Sequence, residues 1–266
     1  MKNRIALLLT LVSATSWLVG CAGPGTHRPS DTRLTNLAAE LGRKGDTTSA
    51  IALYERAAQA MPDKQEVWLS LGHAHLRNDD PRSATLAFQQ AYRLQPNNPQ
   101  SLLGLGQAAL MQAKPQRANE LIAKATNALH TAPAYNLLGI SLLLQHDMDL
   151  AIPAFQRAQQ LAPDNLELQA NEALAYALAG QSAAAVQTIE KVTTSPLAQA
   201  PHTRRAVLIL MLAGKDQQAL AVARELPESE RASLIERSAG IRKLPSVESK
   251  MRAMGMTAMP DARYAP

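Results

Sequence analysis

The stretch Trp68-Leu69-Ser70-Leu71-Gly72, followed by Ala84-Thr85-Leu86-Ala87-Phe88-Gln89-Gln90-Ala91 and closed by Pro96, decides how the whole chain reads. Stepping back by roughly 34 residues lands on Leu34, Leu37, Ala38, Ala50, Tyr54, Ala57 and Pro62, the same order of large, small and stop residues. Stepping forward gives Leu102, Leu105, Gly106, Ala118, Ile122 and Ala125. One residue early, the full pattern returns as Tyr135, Leu138, Gly139, Ala151, Phe155, Ala158 and Pro163. Fainter copies run through Gln169, Ala173, Tyr176, Gly180, Ala185 and Ile189, then Ala206, Leu210, Gly214, Ala219 and Ala223. The chain is a repeat array, and an array of this period stacks supersecondary units that cannot bury their apolar faces alone.

Each unit reads as two helices. Trp68, Leu71 and His75 share one helical face, and Ala84, Phe88 and Ala91 share another after a break. Asp80 before Pro81 has the form of an N-cap followed by proline at the first helical position, and Pro115 repeats the placement. Small residues at Gly72, Ala84 and Ala91 let the two helices approach closely, with Phe88 filling the space beside them.

This spacing resembles the tetratricopeptide repeat, in which the large-Leu-Gly run belongs to the first helix and the Ala-Phe-Ala-Pro run to the second. The resemblance implies an all-α fold, a right-handed superhelical solenoid of about five to six helical pairs with a C-terminal capping helix. The expected repeats are 31–64, 65–98, 99–131, 132–165, 166–199 and 200–227. Residues 228–244, with Ala232, Ile235 and Ala239 at helical spacing, form the expected cap.

The amino terminus carries a different signal. Lys2 and Arg4 precede an apolar stretch from Ile5 to Val19, then Gly20 and Cys21, which is the pattern of a secretory signal over 1–20. A transmembrane helix is the competing reading. It needs about 20 predominantly apolar residues, whereas this shorter run contains Thr10, Ser13, Thr15 and Ser16. Leu18-Val19-Gly20-Cys21 resembles the lipobox of bacterial lipoproteins, which implies lipidation of Cys21, the single cysteine of the chain. Two or more acyl chains anchor stably where one does not. Ala22 is not the aspartate that retains such lipoproteins in the inner membrane, so in a Gram-negative host the resemblance implies the periplasmic face of the outer membrane. Residues 21–30, with Gly23, Pro24, Gly25 and Pro29, read as the lipidated cysteine and a flexible tether.

The formal net charge is +5, and removal of Lys2 and Arg4 with the leader leaves about +3, spread rather than clustered. With no basic patch interleaved with aromatics, nucleic acid is not an expected partner. No phosphate loop, His-Glu-x-x-His helix or Gly-x-Ser-x-Gly elbow is present. His73 and His75 stand two apart on a helix and point away from each other, so no metal site, cofactor or catalytic function is expected.

In arrays of the resembled type the first helices line a concave face. Carried over by repeat position, the expected peptide-binding groove comprises Leu69, His73, Leu103, Gln107, Leu110, Met111, Asn136, Ile140, Leu143, Leu144 and Leu174. Two readings of this aliphatic stripe stand side by side: anchors for an amphipathic or extended apolar segment of a partner, or leucines packed between repeats. The lysine–asparagine clamp that some such domains use for a terminal carboxylate is absent. Residues 245–266, with Met251, Met254, Met256 and Met259, read as a disordered tail, or as a methionine cluster that packs into a groove.

A lipoprotein built almost wholly of such repeats resembles the assembly lipoproteins of the tight-adherence (Flp) pilus, the TadD type. The resemblance rests on Asn171-Glu172-Ala173-Leu174-Ala175-Tyr176-Ala177-Leu178-Ala179-Gly180, answered by Leu212-Ala213-Gly214. It is similar also to the type IV pilus pilotins. Either family implies a membrane-anchored protein-binding scaffold with a secretin or other pilus-assembly component as partner. An envelope scaffold or a regulator of cell-wall enzymes is the alternative.

Overall fold

The structure, a computed structural model, describes residues 29–255. The expected signal peptide, Cys21, most of the tether, and Met256 and Met259 of the tail lie outside the described residues. Within them the chain forms fourteen helices and no strand. The first twelve are α1 (Pro29–Arg43), α2 (Thr47–Ala60), α3 (Gln65–Arg77), α4 (Pro81–Leu94), α5 (Pro99–Met111), α6 (Pro115–Leu129), α7 (Ala132–Leu144), α8 (Met148–Leu161), α9 (Leu166–Leu178), α10 (Ser182–Thr193), α11 (Ala200–Leu212) and α12 (Asp216–Ala223). They pack as six successive pairs, each against the next, so the all-α solenoid expected from the sequence is the observed fold.

Local chemistry sets the helix ends. The Asp46, Asp80 and Asp147 side chains accept from the backbone N–H groups of Ser49, Ser83 and Leu150 and start α2, α4 and α8. Asn98 and Asn165 do the same for α5 and α9. Between the two helices of each pair one residue turns left-handed: Gly45, Asp79, Ala113, His146, Gly180 and Gly214, with φ between 55° and 86°. The backbone thus repeats at the sequence period even where glycine is not the residue at the turn.

Phe88, wholly buried, is the wedge of the second pair. Its ring lies so near Gly72 on α3 and Gly104 on α5 that a β-carbon at either would come within 2.6 Å and 2.4 Å of it. Phe155 fills the equivalent space against Gly139. The largest core cluster runs from Ala109 to Met251; smaller clusters serve the earlier repeats.

Beyond α12, helix α13 (Glu228–Arg242) lies on α11. Arg204 and Glu230 join it to α11, with Nε–Oε2 at 2.9 Å, and Arg242 and Asp216 join it to α12 at 2.6 Å. The expectation of disorder from residue 245 is corrected over α14 (Val247–Ala253), a short helix on α7 with Met251 fully buried. Ser246 and Ser249 exchange hydrogen bonds at its start, and apolar docking supplies what seven residues cannot.

Candidate functional site: the face of the first helices

The groove positions expected from the sequence come from α3, α5, α7 and α9, and the structure divides them into two sets. His73, Leu103, Gln107 and Met111, all on α3 and α5, keep part of their surface open. Leu69, Leu110, Asn136, Ile140, Leu143, Leu144 and Leu174 are buried; Leu143 and Leu174 have no exposed surface at all. Five of these seven are corrected from groove anchors to packing residues; Leu110 and Leu144, also buried, line a crevice beside α14. The cause is the closeness of successive first helices: Leu69 and Leu76 join Phe88 and Ala108, while Leu110 joins Leu143 and Leu144 in the main core.

Polar side chains close the far half of this face. Asn171 Nδ2 donates to Asn136 Oδ1 at 2.7 Å. Arg205 of α11 donates to Asn171 Oδ1 and forms an ion pair with Glu167, linking α7, α9 and α11. Burial pushes the Arg205 guanidinium below its ordinary value, opposed by the Glu167 carboxylate. His202 Nε2 lies 3.6 Å from Glu167. Asn136 therefore has a partner inside the array, and its amide is not presented to a ligand. Sequence reading did not find this chain of groups, because its members stand about a repeat apart and only stacking makes them neighbours.

The open half is different in character. The His73 ring meets the edge of Phe88, centroids 5.1 Å apart, and burial together with the Arg77 charge lowers its pKa to about 4, leaving it neutral at pH 7. Arg77 Nε is enclosed without a hydrogen-bond partner among the described residues. Further along, Gln65 Nε2 donates to Ala91 O at 3.0 Å and Ser101 Oγ at 3.3 Å, and Asn98 Nδ2 donates back to Gln65 Oε1 at 3.0 Å. This buried junction fixes the angle between the second and third pairs. Leu103, Gln107 and Met111 stand on α5 beyond it, an apolar strip with one amide, suited to contact with another protein.

Among the described residues no cluster of His, Cys, Asp or Glu has the geometry to hold a metal ion, and no helix is long and apolar enough to cross a membrane. Residues 34–233 match the family model of the cilia and flagella-associated protein 70 middle TPR-like domain. The chain belongs to that family. Membership makes it a TPR-like repeat protein, an architecture whose extended faces serve as protein-interaction scaffolds.

Solved structures share the TPR-like fold. PilW, described as a widely conserved type IV pilus biogenesis factor, is 20% identical, with a TM-score of 0.69 over 79% of this chain and 98% of its own. The pilF protein of Pseudomonas aeruginosa is 14% identical, with a TM-score of 0.62 over 78% of this chain and 96% of its own. A tetratricopeptide repeat protein of Parabacteroides merdae is 16% identical, with a TM-score of 0.63 over 78% and 84%. No curated protein sequence matches the chain.

Proposed function

We propose that the chain is a lipid-anchored, protein-binding scaffold of the bacterial outer membrane that assists assembly of a pilus or secretion apparatus, with a secretin or another pilus-assembly component as its partner. The observation that carries the reading is the strip of His73, Leu103, Gln107 and Met111, the expected groove positions that packing in the array covers only in part. A peptide covering such a strip gains about 25 cal/mol per Å² of apolar surface, less the cost of ordering itself.

Likeness to PilW over nearly the whole of that chain supports a role of the type IV pilus kind. The tight-adherence reading rests on the Asn171–Gly180 stretch and its answer at Leu212-Ala213-Gly214. In this proposal Cys21 holds the array at the periplasmic face.

The test is Leu103→Glu with Met111→Glu in the organism of origin. Partner capture and pilus assembly are expected to be lost, while helix content and membrane fractionation stay normal. Gln89→Glu with Gln116→Glu, on exposed second-helix positions, serves as the silent control. Normal pili and normal secretin multimers in the double variant would defeat the reading and favour an envelope scaffold.

A further inference from the structure

The first-helix face carries an occupant from its own chain. Helix α14 lies on α7 and packs Val247, Met251 and Met254 against the main core, at the i, i+4, i+7 spacing of one helical face. Glu248 and Arg252, paired at 2.6 Å, flank that face. An amphipathic helix laid against an apolar groove is a recurring mode of peptide recognition.

Two observations mark this helix as a removable occupant. At seven residues it is far below the roughly 12–15 that an isolated helix needs in water, so it exists as a helix only while docked. It also fills the site incompletely. A crevice of about 340 Å³ remains between Glu248 and Arg252 of α14 and Leu110, Met111, Gln112 and Leu144 at the ends of α5 and α7. Met111 belongs as well to the open strip, so the crevice continues the surface already assigned to a partner.

We propose that α14 is a built-in competitor for the first-helix face. It leaves when a partner presents a longer amphipathic helix, with aliphatic anchors at the spacing of Val247, Met251 and Met254 and the bulk to fill the crevice beside Leu110 and Met111. This rests on the reading that the face binds a protein segment, but its test uses the chain alone and needs no pilus. A failure here leaves the pilus experiment standing, and the reverse also holds.

The first measurement is hydrogen exchange on the full chain: α14 amides should exchange through local opening about a hundredfold or more faster than those of α7. The second uses a peptide of residues 245–255, hydrocarbon-stapled between positions 248 and 252. It should bind the Met251→Asp chain at least about tenfold more tightly than the parent, whose own helix competes. The same peptide carrying Met251→Asp should bind neither chain. Equal protection of α14 and α7 would make the helix a fixed part of the core and overturn the proposal. So would equal affinity for the two chains, or no binding to a folded Met251→Asp chain. A parent dimer that dissociates on Met251→Asp would assign the site to a second copy's helix, with the same consequence. If that variant loses its helical signal, the exchange result on the parent decides alone.

Discussion

At the scale of single residues, His73 converts burial into a dependence on pH. An unfolded histidine takes up its proton near pH 6.5, whereas the folded one resists until about pH 4, because burial and Arg77 oppose the charge. Between these values the unfolded chain binds more protons, so stability rises with pH across that window, is complete above it, and is lost as pH falls through it. The contribution is at most about 3 kcal/mol. Urea unfolding at pH 7 and pH 4.5 should show a smaller loss for His73→Leu than for the parent. Carboxylates such as Asp80, held below the ordinary value by hydrogen bonds from the Ser83 hydroxyl and backbone N–H, titrate in both chains and cancel. Equal losses would mean that His73 is charged in the fold. Ala113 offers a second single-residue test. It holds the left-handed turn where three other repeats have glycine, with φ 55°. Ala113→Gly should therefore raise stability by about 0.5–1 kcal/mol, read as an increase in Tm.

At the scale of the element, the contact between pairs is decided by how closely a ring approaches backbone. Phe88 is pressed between Gly72 of its own pair and Gly104 of the next. Gly104→Ala should destabilise by about 1–3 kcal/mol, since the ring must shift in a filled core. Gly240 of α13 provides the contrast: its added methyl meets nothing within 4 Å, so Gly240→Ala should gain about 0.5–1 kcal/mol from helix propensity. Similar melting of the two variants would show that the wedge is not tight. Gly72 was legible in the sequence, because it recurs with the period beside Leu71. Gly104 was not, since it falls outside the repeated positions and gains its role only when α5 crosses the Phe88 ring. The fold class was legible for the same reason that Gly72 was: large, small and stop residues return in phase. The division of the first-helix face was not, because Ile140 and Leu143 look like Leu103 and Met111 until the distance between neighbouring helices is known. Helix α14 reads as tail from the sequence because the segment after Pro245 is too short to be helical by itself, and its helicity comes from docking.

At the scale of the whole molecule, a stack in which each pair touches mainly its neighbours has a stability that adds along one dimension, so its ends need not open together. The two described ends differ. From Ala109 onward one continuous core reaches Met251, and α13 and α14 cover it. At the other end α1 packs chiefly on α2, Leu37 is 47% exposed, and a separate small core around Tyr54 holds the first pair to α3. Apart from the docked helix α14, the stacked pairs should therefore open from the amino-terminal side. In native-state hydrogen exchange, α1 and α2 should be protected at least about tenfold less than α7 and α9, a difference of roughly 1.4 kcal/mol in opening free energy. Tyr54→Ala, at a cost of about 3 kcal/mol or more, should release α1 and α2 while α9 and α11 keep their protection. Phe155→Ala, in the continuous core, should lower protection on both of its sides. A single protection level throughout, moved equally by either substitution, would require coupling across the boundary between the small cores and the large one. In that case the open strip of α3 and α5 would be as rigid as the closed half beyond it.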